Sequence, residues 1–104
     1  LIIVVPFMRV AGMALFPFIL VKEHAFKNDK VLINHECIHL RQQAELLVLP
    51  FYVLYLLNYV INLIHYRDHN SAYLNIIFER EAFKNEADLE YLGKRKFFAF
   101  LRYF

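Results

Sequence analysis

Two histidines four residues apart with a glutamate directly after the first, His35-Glu36-Cys37-Ile38-His39, carry the pattern H-E-x-x-H. On a helix, positions i and i+4 lie one turn apart on the same face, so His35 and His39 can present two imidazole nitrogens to one tetrahedral Zn2+. Glu36 then stands beside the metal without ligating it. A carboxylate there can take a proton from a water whose pKa the metal lowers to about 7, and pass that proton to a leaving amine. The chemistry open to these three residues is hydrolysis of a peptide bond.

A helix must hold the motif, and the run from Lys30 to Leu49 contains neither Gly nor Pro, with Asn28 or Asp29 ahead of it as an N-cap. Projected at about 100° per residue, Leu32, His35, His39 and Leu46 share one face, and Asn34, Cys37, Arg41 and Glu45 the opposite one. A zinc site also needs a third protein ligand. The window Phe78 to Asp88 reads as helix throughout, with Glu79, Ala82, Phe83 and Glu86 on one stripe beside Ile76. Glu79 is the expected ligand. Glu86, two turns along the same face, is expected to orient a histidine or to serve as the ligand in another register. Glu81 falls with Lys84, Asn85 and Asp88 on a side that reads as solvated, and its expected role is an exposed pair with Lys84, with metal-site support as the alternative.

H-E-x-x-H followed on a later helix by a glutamate ligand resembles the gluzincin metallopeptidases. Glu79-Arg80-Glu81-Ala82 is similar to the E-x-x-A part of the E-x-x-A-D signature in membrane prenyl-protein endopeptidases, and Phe83 stands where that signature has Asp. Phe16 to Val21 is similar to the edge strand that precedes the active helix in such enzymes and in BlaR-type sensor peptidases. In size the chain resembles the minigluzincins. The likeness covers residues 14 to 92. It implies a zincin-like fold, a zinc cofactor and a peptide or protein substrate.

Composition bounds these readings. With 104 residues there is room for one domain, 1–104, around one core. Hydrophobic residues make up 60%, Phe and Tyr are abundant and there are only two Gly, so the chain reads as apolar and mostly helical. A formal charge of +2 is too small to argue for nucleic acid. The single cysteine, Cys37, excludes an intrachain disulfide and fits a reducing compartment or a membrane setting. It lies about 160° around the helix from His39 and reads as a passive, partly buried thiol.

Leu46 through Ile64 carries no charge, and a helix of that length nearly matches a hydrocarbon core of about 30 Å. A straight crossing would put His35 and His39 on one side of a bilayer and Glu79 on the other. The alternative starts a second helix at Pro50, a favoured first-turn residue, and folds it back, so that helices at 30–48, 51–66 and 72–92 run up, down and up. Asn58 and Asn62 suit a bundle interior or rim better than lipid. Residues 1 to 21 are broken by Pro6, Gly12 and Pro17. Their opening Leu-Ile-Ile-Val-Val reads as a buried strand, and the missing initiator Met as a trimmed start.

Lys94-Arg95-Lys96 followed by Phe97 to Phe104 reads either as a basic-aromatic helix at a membrane surface or as a terminal helix whose aromatics pack on the bundle, with Gly93 marking a helix end before it. His65 and His69 read as a surface cluster at a turn. In the bundle arrangement His69, Tyr66 or Tyr73 would come near the site and could donate a hydrogen bond to a tetrahedral oxyanion, a role gluzincins give to a His or Tyr. A strand at 14 to 22 would pair with an extended substrate by β-augmentation.

These readings combine in an α+β, predominantly α, zincin-like domain: a short N-terminal β segment, an active-site helix, a hydrophobic helix and a glutamate helix. Zinc would be held by His35, His39 and Glu79, with Glu36 as general base and then acid. The alternatives are a membrane-associated helical interaction module and a zincin-like pseudoenzyme. A membrane surface and a homo-oligomer are the other expected partners, and the expected location is membrane-associated or cytoplasmic.

Overall fold

The computed structural model describes residues 1–104. Asp29 sets the start of the first long helix, α1 (Lys30–Leu46), by accepting from the Leu32 amide at 3.1 Å. The helix is buried on more than one face, because the sheet, the next helix and the chain's last third all pack on it. Asn34, expected on the outer face, is buried and donates to the carbonyls of Glu86 and Asp88 at 2.8 and 3.0 Å. Glu45 is likewise drawn into an ion pair. A single-helix projection separates two faces of α1 but cannot see that the chain's last third covers part of the second, leaving Arg41 exposed.

Ahead of α1 lie β1 (Ile2–Val4), β2 (Gly12–Leu15) and β3 (Phe18–Val21), in the order β1-β3-β2, with β1 parallel and β2 antiparallel to β3. The expected strand at 14 to 22 is thus a hairpin turning at Phe16-Pro17, since Pro lacks the N–H a continuous ladder needs. The opening segment is a strand, but a half-buried one at the sheet's edge instead of a buried one. Lys22 donates to the Ala11 carbonyl at 2.9 Å, which puts the alternate residues Gly12 and Ala14 with their backbone groups facing away from β3. A 3-10 turn, His24–Asn28, joins the sheet to α1.

No glycine separates α1 from α2 (Val48–Tyr66), so Leu47 makes the elbow itself, at φ 57° and ψ 110°. That region favours glycine, and holding a leucine there costs on the order of 1 kcal/mol. Pro50 then sits in the first turn of α2, where its absent N–H costs nothing. α2 is long and apolar enough to cross a membrane. The chain after it nevertheless comes back: Arg67 closes the helix at a left-handed φ of 57°, and α3 (His69–Leu74) and α4 (Ile77–Asn85) follow.

Contacts climb back along α2, from Asn62 donating to the Ala72 carbonyl at 3.1 Å, through the Ile77 amide on Asn58 Oδ1 at 2.9 Å, to Tyr55 on Glu79 at 2.6 Å. The two Asn side chains therefore hold the returning chain. The return is broken at Asn75-Ile76 and α4 ends at Asn85, so the single helix expected at 72–92 is three short pieces, the last being α5 (Tyr91–Lys94).

Asn58 also has a capping role, because Ile76 at the N-cap of α4 offers no side-chain acceptor and Asn58 supplies one from another helix. Asn58→Ala is expected to destabilise the protein by about 1–2 kcal/mol, read as a lower urea midpoint with unchanged slope.

The apolar core joins Phe51, Ile76, Ile77, Phe78 and Phe100, with Tyr52, Tyr55 and Phe98 against it. Phe100 belongs to a 3-10 turn, Ala99–Tyr103, that packs on α4. The tail is thus no continuous basic-aromatic helix. Phe98, Ala99 and Phe100 pack inward, Phe97 and Phe104 stay exposed, and Arg95 is buried between two carboxylates instead of facing headgroups. Gly93 lies inside α5 and does not end a helix before it. The outer face of α2, from Leu49 through Val53, Leu56, Leu57, Val60 and Ile61 to Ile64, remains exposed.

Candidate metal centre

Helical spacing brings His35 and His39 onto one face of α1, and the return of the chain along α2 brings the first turn of α4, with Glu79, opposite them. Glu79 Oε1 lies 3.1 Å from His35 Nε2 and 2.9 Å from His39 Nε2, and the two Nε2 atoms are 3.2 Å apart. Three donors held by one tetrahedral ion at about 2.0–2.1 Å lie about 3.3 Å from one another. The donor set of two imidazoles and one carboxylate, and its near-equilateral spacing, fit zinc. All three residues are buried, with Glu79 only 4% exposed.

Each histidine is fixed from behind. Glu86 Oε1 lies 2.7 Å from His35 Nδ1, across the ring from the Nε2 that faces Glu79. The Phe83 ring meets the His35 ring edge-on at 4.6 Å between centroids. His39 Nδ1 faces Gln42 Oε1 at 2.7 Å. Glu81, expected to be exposed with Lys84, is fully buried and accepts from Gln42, Tyr91 and Arg95. It is not near enough to the donor triad to be grouped with it.

Glu36 lines a cavity of about 530 Å³ together with the three donor residues, β2 and α2. Burial raises its pKa above the usual carboxylate range, against the pull of His39 and His35. Gly12 makes the room: a Cβ there would meet Leu32 Cδ1 at 3.2 Å and Glu36 Oε2 at 3.3 Å. Beside it, Gln43 takes the Phe16 amide and donates to the Ala14 carbonyl, both at 2.9 Å, and the Tyr52 hydroxyl reaches the same carbonyl at 2.8 Å.

Of the three candidates for an oxyanion donor, His69 and Tyr73 line the cavity, whereas Tyr66 does not and packs on His65 instead. His69 Nδ1 is 2.8 Å from the Tyr59 hydroxyl. Tyr55, Gln42 and Gln43 were not anticipated; Tyr55 donates to Glu79 Oε2 at 2.6 Å, and its phenol, like that of Tyr73, is pushed well above its ordinary pKa by burial and by Glu79. Cys37 is partly buried and lines a separate surface pocket with Lys27 and Lys30; burial raises its pKa.

Without metal, the donors form a buried ion pair. Burial opposes the charge on His39, but Glu79 outweighs it and raises the pKa from 6.5 to about 9, while burial of Glu79 is outweighed by His39 and by hydrogen bonds from both histidines and Tyr55, which hold its carboxyl far below the usual range. A raised histidine pKa stabilises the fold fully below the unfolded value and loses that stabilisation as pH rises through the folded one. Metal-free protein is therefore expected to lose on the order of 3 kcal/mol between pH 6.5 and about 9, seen as a falling Tm that His39→Gln does not show. The depressed Glu79 carboxyl adds the mirror-image loss below the unfolded carboxylate range.

No family model, no curated protein and no solved structure matches this chain.

Proposed function

We propose that this chain is a small zincin-like metallopeptidase that hydrolyses peptide bonds with zinc held by His35, His39 and Glu79. The observation that carries the reading is the convergence of these three donors within 4.8 Å of one another, in a cavity that also contains the free carboxylate Glu36. When bound, zinc supplies the Lewis acidity that lowers the pKa of a water and polarises a carbonyl. Glu36 would accept the proton from the attacking water and deliver it to the leaving amine. Tyr73 or His69 donates to the developing oxyanion. The outward backbone groups of Gly12 and the Ala14 amide pair with an extended substrate, and apolar Val10, Met13 and Phe51 around the cavity suit apolar side chains.

The test is elemental analysis of protein purified without a chelating tag, followed by mass spectrometry of a mixed peptide pool incubated with it. About one zinc per chain and new peptide termini are expected. Zinc without cleavage would favour a pseudoenzyme. The exposed apolar face of α2 supports a membrane-associated setting, and it favours an interaction module as the second reading if the purified and zinc-reconstituted chain holds no metal.

A further inference from the structure

Glu81 and Arg95 are among the most deeply buried charged side chains in the molecule, both 0% exposed, and neither touches a metal donor. Burying a charge pair is expensive, and hydrogen bonds to each partner offset that cost. Arg95 uses Nε and Nη2 on Glu81 and Nη1 and Nη2 on Glu45, at 2.7 and 3.0 Å for the latter pair. Glu81 Oε1 in turn accepts from Gln42 Nε2 at 2.9 Å, and the Phe78 carbonyl accepts from the same nitrogen at 3.1 Å.

An amide has two unlike ends: its NH2 only donates and its carbonyl only accepts. With two acceptors at the Gln42 nitrogen, Oε1 is left facing His39 Nδ1 at 2.7 Å. Because Oε1 cannot donate, Nδ1 must carry the hydrogen, and in the neutral ring the lone pair is then on Nε2, toward Glu79. Arg95 donates to both oxygens of Glu81, and this two-pronged contact fixes Oε1 as the acceptor in front of the Gln42 nitrogen. An amide at 81 can turn its NH2 toward Gln42, which leaves the Phe78 carbonyl alone to hold the Gln42 amide in this orientation.

Resting on the zinc reading above, we infer that Glu81 and Arg95 are positioning residues that act through Gln42 to hold His39 as an Nε2 ligand. The two histidines are then set by different means. His35 is held directly by Glu86, whose side chain is 29% exposed, and His39 by a neutral amide whose orientation depends on a buried ion pair. Arg95 follows α5, so the segment after α4 is tied to the metal centre although it contributes no ligand.

The test compares wild type with Glu81→Gln and Arg95→Lys, which loses the two-pronged contact but keeps the charge. Zinc affinity is measured by competition with a chromophoric chelator. Histidine ring 15N–1H spectra of the zinc-loaded proteins report each ligand separately. Both variants are expected to bind zinc about 10-fold more weakly or worse, with the His39 Nδ1–H resonance shifted or broadened and that of His35 in place. Wild-type affinity and an unmoved His39 resonance in a folded variant would overturn the inference. If Glu81→Gln does not fold, Arg95→Lys decides by the same two readouts. Absence of zinc from the wild type would instead defeat the metal reading itself, so the two failures are distinguishable.

Discussion

Glu36→Gln is expected to lower peptide hydrolysis about a hundred- to ten-thousandfold while leaving about one zinc per chain in place. The amide fills the same volume beside Gly12, so the cavity is not reshaped. What it loses is the capacity to accept a proton. The ascending limb of the wild-type rate profile should report this group: activity falls as pH drops and the base becomes protonated, and Glu36→Gln loses that limb. The check is a pair of measurements on one preparation, zinc stoichiometry and the rate on a cleaved peptide. Hydrolysis at wild-type rate in Glu36→Gln would remove the mechanism.

Glu79→Ala is expected to weaken zinc binding by more than about 100-fold, exceeding the effect of losing an orienting partner because a donor itself is gone. The same substitution has a second signature in metal-free protein. Glu79 is the main group holding the His39 pKa up at about 9, so its loss shifts the balance toward burial, which favours the neutral ring. Ring spectra across a pH series would show the histidine titrating lower than in the wild type. Tyr55 loses its acceptor at 2.6 Å in the same variant. Zinc retained at wild-type affinity in Glu79→Ala would assign the third ligand elsewhere.

His35, Glu36 and His39 were legible because a helix repeats locally: four residues of spacing define a face whatever the rest of the chain does. Glu79 and Glu86 followed from the same periodicity, and both reach the histidines. Glu81 was misread for a related reason. The cation one helical turn along its own face is Lys84, but its partner Arg95 stands 14 residues away beyond the end of α4, and no helical period contains that contact. Gln42 and Gln43 carried no signal, since an amide has no pattern until its acceptors are in place. The return along α2 was inferred from the need to close the site, although Leu47 turns the chain through a conformation that gave no sequence cue.

β2 presents an open edge beside the cavity, and an open strand edge offers the same bonds to any passing strand, including that of a second molecule. Gln43 and Tyr52 occupy the Ala14 carbonyl and the Phe16 amide, which leaves only a short stretch around Gly12 accessible. A stretch that short can hold a peptide in one register, yet is too brief to nucleate a growing ladder between copies. In a chain with exposed Met13, Leu15 and Phe16 on that hairpin, those two polar side chains are a safeguard against self-assembly into sheets.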